Sequence, residues 1–300
     1  MINSLYWNVY RNLEKELLNL AEYIHIDDRQ LDIYSMKIAD LIIRCAVETE
    51  AISKELYFRE GGTEPNNNDL YYDTICLAYL NDKWQLDKKV VMISSPEVYL
   101  EEEDNLVLKP LYKANKRGTS SSKWQRAYQA LKHNRSESLK KHATLRNLIS
   151  ALAALYILNL YYKDNVYELN GSSNVEVLDA GFGSILFSVK IHPWTGLRKD
   201  GIYLKKEHFD SCIYLIEVTE KTKAPAINAM ATFEKETCYA VNKRGMVIPY
   251  VSENENIPIG VIPQGMTKAQ MLNKSRKAAQ KMFEQLKKLR YEAVLNKQQY

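Results

Sequence analysis

The run LISALAALYILNLYY at residues 148–162 constrains this chain more than any other feature. Apart from Ser150 and Asn159, every residue in it is aliphatic or a tyrosine. A helix that is apolar on nearly all sides has no face to give to water, so other elements must surround it, and the run predicts the central helix of a bundle. Its longest apolar stretch, residues 148–158, falls short of the roughly 20 residues a bilayer crossing needs. The expectation is a soluble, cytoplasmic protein with no membrane partner. The N-terminus, MINSLYWNVYRNLEKELL, has no basic segment followed by a long apolar run and does not read as a secretion signal.

The segments before this helix carry the faces that would cover it. Leu13, Leu17, Leu20 and Ile24 form one stripe over residues 5–24. Ile38, Leu41, Ile42, Cys45, Ile52 and Leu56 line a second helix over 31–58, which GGTEPNNND (61–69) stops. Asp69 is placed as the N-cap of a third helix reaching Trp84. KKVVMIS (88–94) and NLVLKPLY (105–112) read as short strands around an acidic turn, EEED. KANKRGTSSS (113–122) reads as a polar connection whose serines cap the helix KWQRAYQALKHN. Ser136 or Ser138 then caps the long helix that contains the apolar run.

Beyond residue 165 the texture changes to short β-branched and aromatic runs such as GSILFSVKIH and SCIYLIEV, separated by glycine-containing turns. The chain therefore reads as α+β. An all-α domain at 1–164 precedes a β-rich domain at 165–265 and a basic amphipathic helix at 266–300. In that last helix Leu272, Ala279, Met282, Leu286, Leu289 and Val294 form an apolar stripe suited to a protein partner. Net charge is +4, but residues 266–300 hold nine Lys/Arg against two Glu, which leaves the other 265 residues near −3. A polyanion would meet the tail first. Cys45, Cys76, Cys212 and Cys238 are scattered without metal-ligand spacing and predict free thiols in a reducing compartment.

The chemistry concentrates in SKWQRAYQALKHNRSES (122–138). Arg126 and His133 are seven residues apart and project from one helix face, beside an apolar face built from Trp124, Ala127, Tyr128 and Leu131. A histidine at a helix C-terminus is favoured in its charged form, which suits proton transfer near neutral pH. A second pair with the same spacing, Arg135 and His142, overlaps the first at Asn134. Arg44 and Glu48 lie one turn apart on the second helix.

These residues, with an all-helical first half, make residues 1–164 resemble the HEPN-like proteins of bacterial toxin, phage-defence and RNA-processing systems. The resemblance implies a metal-independent endoribonuclease, a hydrolase assembled as a homodimer and using no cofactor. His133 would serve as general acid or base at a ribose 2′-OH, and Arg126 or Arg135 would stabilise the phosphate charge. Arg44 and Glu48 would orient that site, with Lys132, Asn134, Tyr128 and His142 binding RNA around it. Ser136 follows Arg135 as the family's polar residue does, whereas Ala127 follows Arg126. The alternative is a non-catalytic HEPN-like module that binds RNA, a nucleotide or a protein partner as a subunit or adaptor.

The second half offers weaker patterns. Asp179, Asp210 and Glu217 lie near strand ends as in metal-dependent nucleases, but IEVTEKTK lacks the lysine of a Glu-x-Lys ending. LDAGFGSIL lacks both the third glycine and the lysine of a phosphate loop, and His192 and His208 have no companion at ligand spacing. No metal site is expected.

Overall fold

A computed structural model describes residues 5–66, 69–169, 177–178, 183–196, 203–236, 239–241, 247–249 and 267–299. Its first half contains α1 (Leu5–Leu18), β1 (Ile26–Asp27) and α2 (Met36–Arg59), followed by a π-helical turn at Tyr72–Leu77 that runs into α3 (Ala78–Trp84). Then come β2 (Val91–Ile93), β3 (Val98–Tyr99), α4 (Glu103–Leu106) and β4 (Val107–Leu108). Helices α5 (Lys123–His133), α6 (Arg135–His142) and α7 (Leu145–Lys163) close it. The second half contains β5 (Tyr167–Glu168), β6 (Val177–Leu178), β7 (Phe187–His192), β8 (Tyr214–Val218) and α8 (Glu220–Glu236). It ends with β9 (Tyr239–Val241), β10 (Val247–Pro249), α9 (Lys268–Leu286) and β11 (Tyr291–Leu295).

The apolar run is the axis of the fold. Fifteen of the 19 residues of α7 are buried, and α1, α2 and α5 pack around it. Its C-terminal carbonyls, which have no partner inside the helix, are answered from α2: Arg59 donates to the carbonyl oxygens of Tyr161 and Tyr162, each at 2.6 Å. Asp164 ends the helix in the left-handed region at φ 49°. A ladder of rings, Trp7, Tyr10, Tyr156 and Phe187, runs from α1 across α7 to the sheet, with successive centroids 5.1–5.6 Å apart.

That ladder marks a shared interior. One apolar core extends from α1, α2 and α7 into β2, β7, β8 and β11. The main sheet has the order β4-β2-β7-β8-β11-β5, with β6 also on β7. The β7–β8 pair is parallel and its neighbours are antiparallel. Its strands come from all three stretches delimited at residues 164 and 265. A buried carboxylate ties helix to sheet: Glu14 on α1 accepts from Tyr10 Oη (2.8 Å), Ser184 Oγ (2.6 Å) and the amides of Ile185 and Leu186 (3.0 Å each).

Several expectations are corrected. The second helix starts at Met36, because Ser35 caps it by accepting from the Ile38 amide. Asp69 caps nothing: the third helix opens as a π-turn at Tyr72 with no side-chain cap. EEED begins the short α4 instead of a turn. Neither Ser136 nor Ser138 caps the long helix. α6 is separate, Ala143 breaks it, and Thr144 caps α7 through the Asn147 amide while the carbonyls of Leu31 and Ile33 take the next N–H groups. α8 occupies 17 residues of the stretch read as β-rich, despite Pro225. The tail is not one helix: Leu289 packs on Val218 and Ala226, and Val294 pairs with Leu215 in the sheet. The side chain of Leu272 and the whole of Cys238 lie outside the described residues. Cys45, Cys76 and Cys212 are free and buried. Among the described residues no helix is long and apolar enough to cross a membrane.

Candidate nucleic-acid interface

The polar stretch before α5 is held by buried anchors. Trp124 donates its indole N–H to the Pro110 carbonyl (2.8 Å), and Gln125 donates to the Ala114 carbonyl (2.8 Å). Ser122 and Gln125 also form a capping box at the start of α5. On the far side, Arg126 donates to the Thr119 carbonyl at 2.6 Å. With Leu111 and Ala114 buried beneath it, the turn pushes Tyr112 and Lys113 outward. Lys113 sits at φ 60°, a conformation a residue with a Cβ adopts reluctantly, and its ammonium lies 5.2 Å from the Tyr112 ring centroid.

A cleft of about 290 Å³ opens between this turn and α5. Lys109, Lys113, Lys123 and Arg126 line it together with Tyr112 and hydroxyls of residues 119–122, and no carboxylate does. A wider depression of about 910 Å³ adjoins it and shares Lys109 and Tyr112. There Lys88, Lys205 and Lys206 face Asp87 and Asp210, and Lys88 neutralises Asp210 at 2.9 Å. The two clefts form one track lined by seven cations and two carboxylates, with a half-exposed tyrosine at their junction. Such a surface neutralises a polyanionic backbone and offers a ring to a base.

Behind the 116–122 loop lies a third cavity, about 480 Å³, lined from α2, the π-turn, the loop and α5. Arg117 is fixed there: Nε meets both oxygens of Asp73 at 2.9 and 3.1 Å, and its guanidinium carbon lies 3.6 Å from the Tyr71 ring centroid. Tyr128 is almost wholly buried, and burial followed by the nearby Glu50 charge pushes its phenol up to about 12.

The residues predicted from sequence are dispersed over these features. Each Arg-x6-His pair is carried whole by its own helix, because Asn134 (φ −146°, ψ 68°) separates α5 from α6 and its amide side chain donates to Glu137 (2.6 Å). Arg126 lines the first cleft, Lys132 borders the third cavity, and Tyr128 is buried in the core. His133 is exposed, and its imidazole makes no hydrogen bond among the described residues. Arg135 pairs with Asp40 on α2 at 2.9 Å. Arg44 and Lys37 both bond Glu16 on α1, and these two bonds hold the Glu16 carboxyl below the usual range. Glu48 is half-buried; burial raises its pKa against the pull of Arg44, and Tyr6 of α1 is also within its electrostatic reach. On α2, Asp40, one turn before Arg44, takes Arg135 of α6, while Glu50, on a different face from Arg44, lies within electrostatic reach of Tyr128 of α5. His142 is kept neutral to lower pH by burial and, less, by the charges of Lys141 and Arg126.

In the second half, Asp210 is taken by Lys88 and burial raises the pKa of Glu217 on β8, while Asp179 lies outside the described residues. His192 is buried between Tyr203 and the Lys206 amide. Sequence reasoning passed over Lys109, Tyr112, Lys113 and Lys123, and over Asp73 with Arg117. The signal was present in KANKRG, three cations in six residues, but a polar loop carries no periodicity to say which way it faces. No family model, curated protein or solved structure matches the chain.

Proposed function

We propose that this protein binds single-stranded RNA along the track formed by the two joined clefts. The observation that carries the reading is the junction: Lys109 and Tyr112 belong to both clefts, so seven cations and one exposed ring are continuous. A single strand needs this combination, since phosphates supply affinity at a basic groove and bases stack on aromatic rings without regard to sequence. The turn's anchoring by Trp124 and Gln125 gives a preorganised surface instead of a loop that must order on binding. Anisotropy titration of a labelled 5′-hydroxyl RNA dodecamer, with and without the double substitution Lys113→Ala/Lys123→Ala, tests the reading. Equal affinity of the two proteins at low salt would remove its basis.

A second reading, metal-independent RNA cleavage of the HEPN kind, is favoured by one observation: Arg126 lines the first cleft and its charge also reaches His142, a half-buried imidazole whose pKa is lowered chiefly by burial. In this reading Arg126 offsets phosphate charge at the edge of the first cleft and a histidine of α5 or α6 takes the 2′-OH proton. Cleavage of mixed tRNA in EDTA, lost in His142→Ala or His133→Ala while RNA affinity is kept, is the expected result. Binding without cleavage by the wild type leaves RNA binding as the function.

A further inference from the structure

The third cavity is separate from the track, lying across the 116–122 loop, and its chemistry is different. It is lined by four elements and, at about 480 Å³, falls in the size range of small-molecule sites, roughly 300–1,000 Å³. Its charges are Lys54, Lys116, Arg117 and Lys132 against Glu50 and Asp73, a surplus of two positive charges. Of the carboxylates, Asp73 is already paired with Arg117. The side chains of Lys54, Lys116 and Lys132 make no ion pair or hydrogen bond among the described residues. Three lysines thus line one cavity without a salt-bridge partner, Lys132 with its ammonium 5.6 Å from the Tyr128 ring centroid, around a guanidinium held by Asp73 and the Tyr71 ring.

The floor of this cavity is unusual backbone. Tyr72 and Asp73 begin a six-residue π-helical turn, Tyr72–Leu77, a geometry that recurs at functional sites because it re-aims side chains an α-turn would place elsewhere. Here it turns Asp73 to the guanidinium and Tyr72 to Gln125, whose Nε2 lies 3.3 Å from the phenol oxygen. Arg117 in turn is held from two directions, by the carboxylate and by the Tyr71 ring. A planar fork with fixed orientation is the donor that recognises tetrahedral oxyanions with geometric selectivity, and mobile lysines around it add charge.

We propose that this cavity is a binding site for a phosphomonoester dianion. The two surplus positive charges match the dianion, which a phosphomonoester becomes above its second pKa of about 6. A free small phosphate ester and the 5′-phosphate of an RNA end share this chemistry, and both can be tested. The site does not depend on RNA binding in the track.

Calorimetry with ribose 5-phosphate, ribose and inorganic phosphate decides the matter on the full chain at pH 7.5. Ribose 5-phosphate and phosphate bind and ribose does not. Lys54→Ala/Lys116→Ala, which removes two exposed or half-exposed side chains, weakens binding about tenfold or more with the melting temperature unchanged, because each charge-assisted bond to an oxyanion contributes about 1.5–3 kcal/mol. Binding also weakens as the pH falls below about 6 and the ester takes up its second proton. Ribose binding as tightly as its phosphate, or the double variant retaining wild-type affinity, overturns the proposal. A parallel titration with 5′-phosphorylated and 5′-hydroxyl RNA identifies the source: a gain from the 5′-phosphate that the double variant abolishes assigns an RNA end, and no gain assigns a free ester. Affinity for 5′-hydroxyl RNA is unchanged by Lys54→Ala/Lys116→Ala, so loss of RNA binding in the track and loss of this site are distinguishable.

Discussion

Removing Lys113 and Lys123 tests the RNA track most sharply, because the magnitude follows from counting charges. The track holds seven cations, of which Lys88 is neutralised by Asp210, leaving about six for phosphates. For a single strand each phosphate contact contributes about −0.7 to the slope of log affinity against log salt, so the wild type should approach a slope of about −4. Deleting two contacts lowers that to about −3. At 0.15 M salt each contact is worth about 0.6 of a decade, so the double variant binds about 14-fold more weakly, and the two proteins converge towards 1 M salt. Anisotropy titrations of a 5′-hydroxyl dodecamer at four or five salt concentrations read both quantities. A wild-type slope flatter than about −1.5, or a variant whose deficit persists unchanged at 1 M salt, would refute the electrostatic argument.

Three further outcomes are expected. Tyr112→Ala weakens RNA binding by about 1–3 kcal/mol without altering the salt slope, since a lost stacking surface releases no counterions; the same titrations read it. Glu14→Ala lowers stability by about 2–5 kcal/mol in urea denaturation, because the Leu186 amide and the Ser184 hydroxyl, both buried, lose their acceptor at about 1–3 kcal/mol each. Lys89 is wholly buried and desolvation lowers its pKa to about 7; neutral, it has two N–H bonds, matched by the carbonyls of Asp210 and Cys212 at 2.9 and 3.1 Å. Between pH 7 and about 10 the unfolded chain holds this proton and the folded one does not. Stability should therefore rise with pH there, by up to about 1.4 kcal/mol per unit. The charges around it are Asp210 and Cys212, which oppose the lowering, then Lys88, which assists it, and Asp87. Lys89→Met flattens that slope in pH-dependent denaturation.

The helical half was readable wherever local pattern and burial agree. The run at 148–162 has one physical solution, and α7 adopts it. The limits of α5 follow from Ser122, whose cap on the Gln125 amide depends only on residues within one turn. The break at Asn134 was visible as a corner but not as a choice: whether α5 and α6 fuse depends on Thr144 meeting Tyr34 and on Arg135 meeting Asp40, contacts made with α2 and the segment preceding it. β11 was missed for a related reason. Leu289 and Val294 satisfy a helical stripe on paper, and they leave it because β8 offers Tyr291–Leu295 a full antiparallel register.

Charge tells the same story more sharply. That this chain carries cations in KANKRG, in KHNR and along its tail is plain from composition and spacing. Spacing also correctly set Arg126 and His133 on one helix, and Arg44 beside Glu48 on another. It had no means of showing that Arg44 would turn to Glu16, or that Lys109 and Tyr112 would join two clefts. Periodicity reports the direction of a side chain relative to its own helix axis. A site needs the direction relative to other helices, and that is decided when α1, α2 and α5 choose their faces on α7.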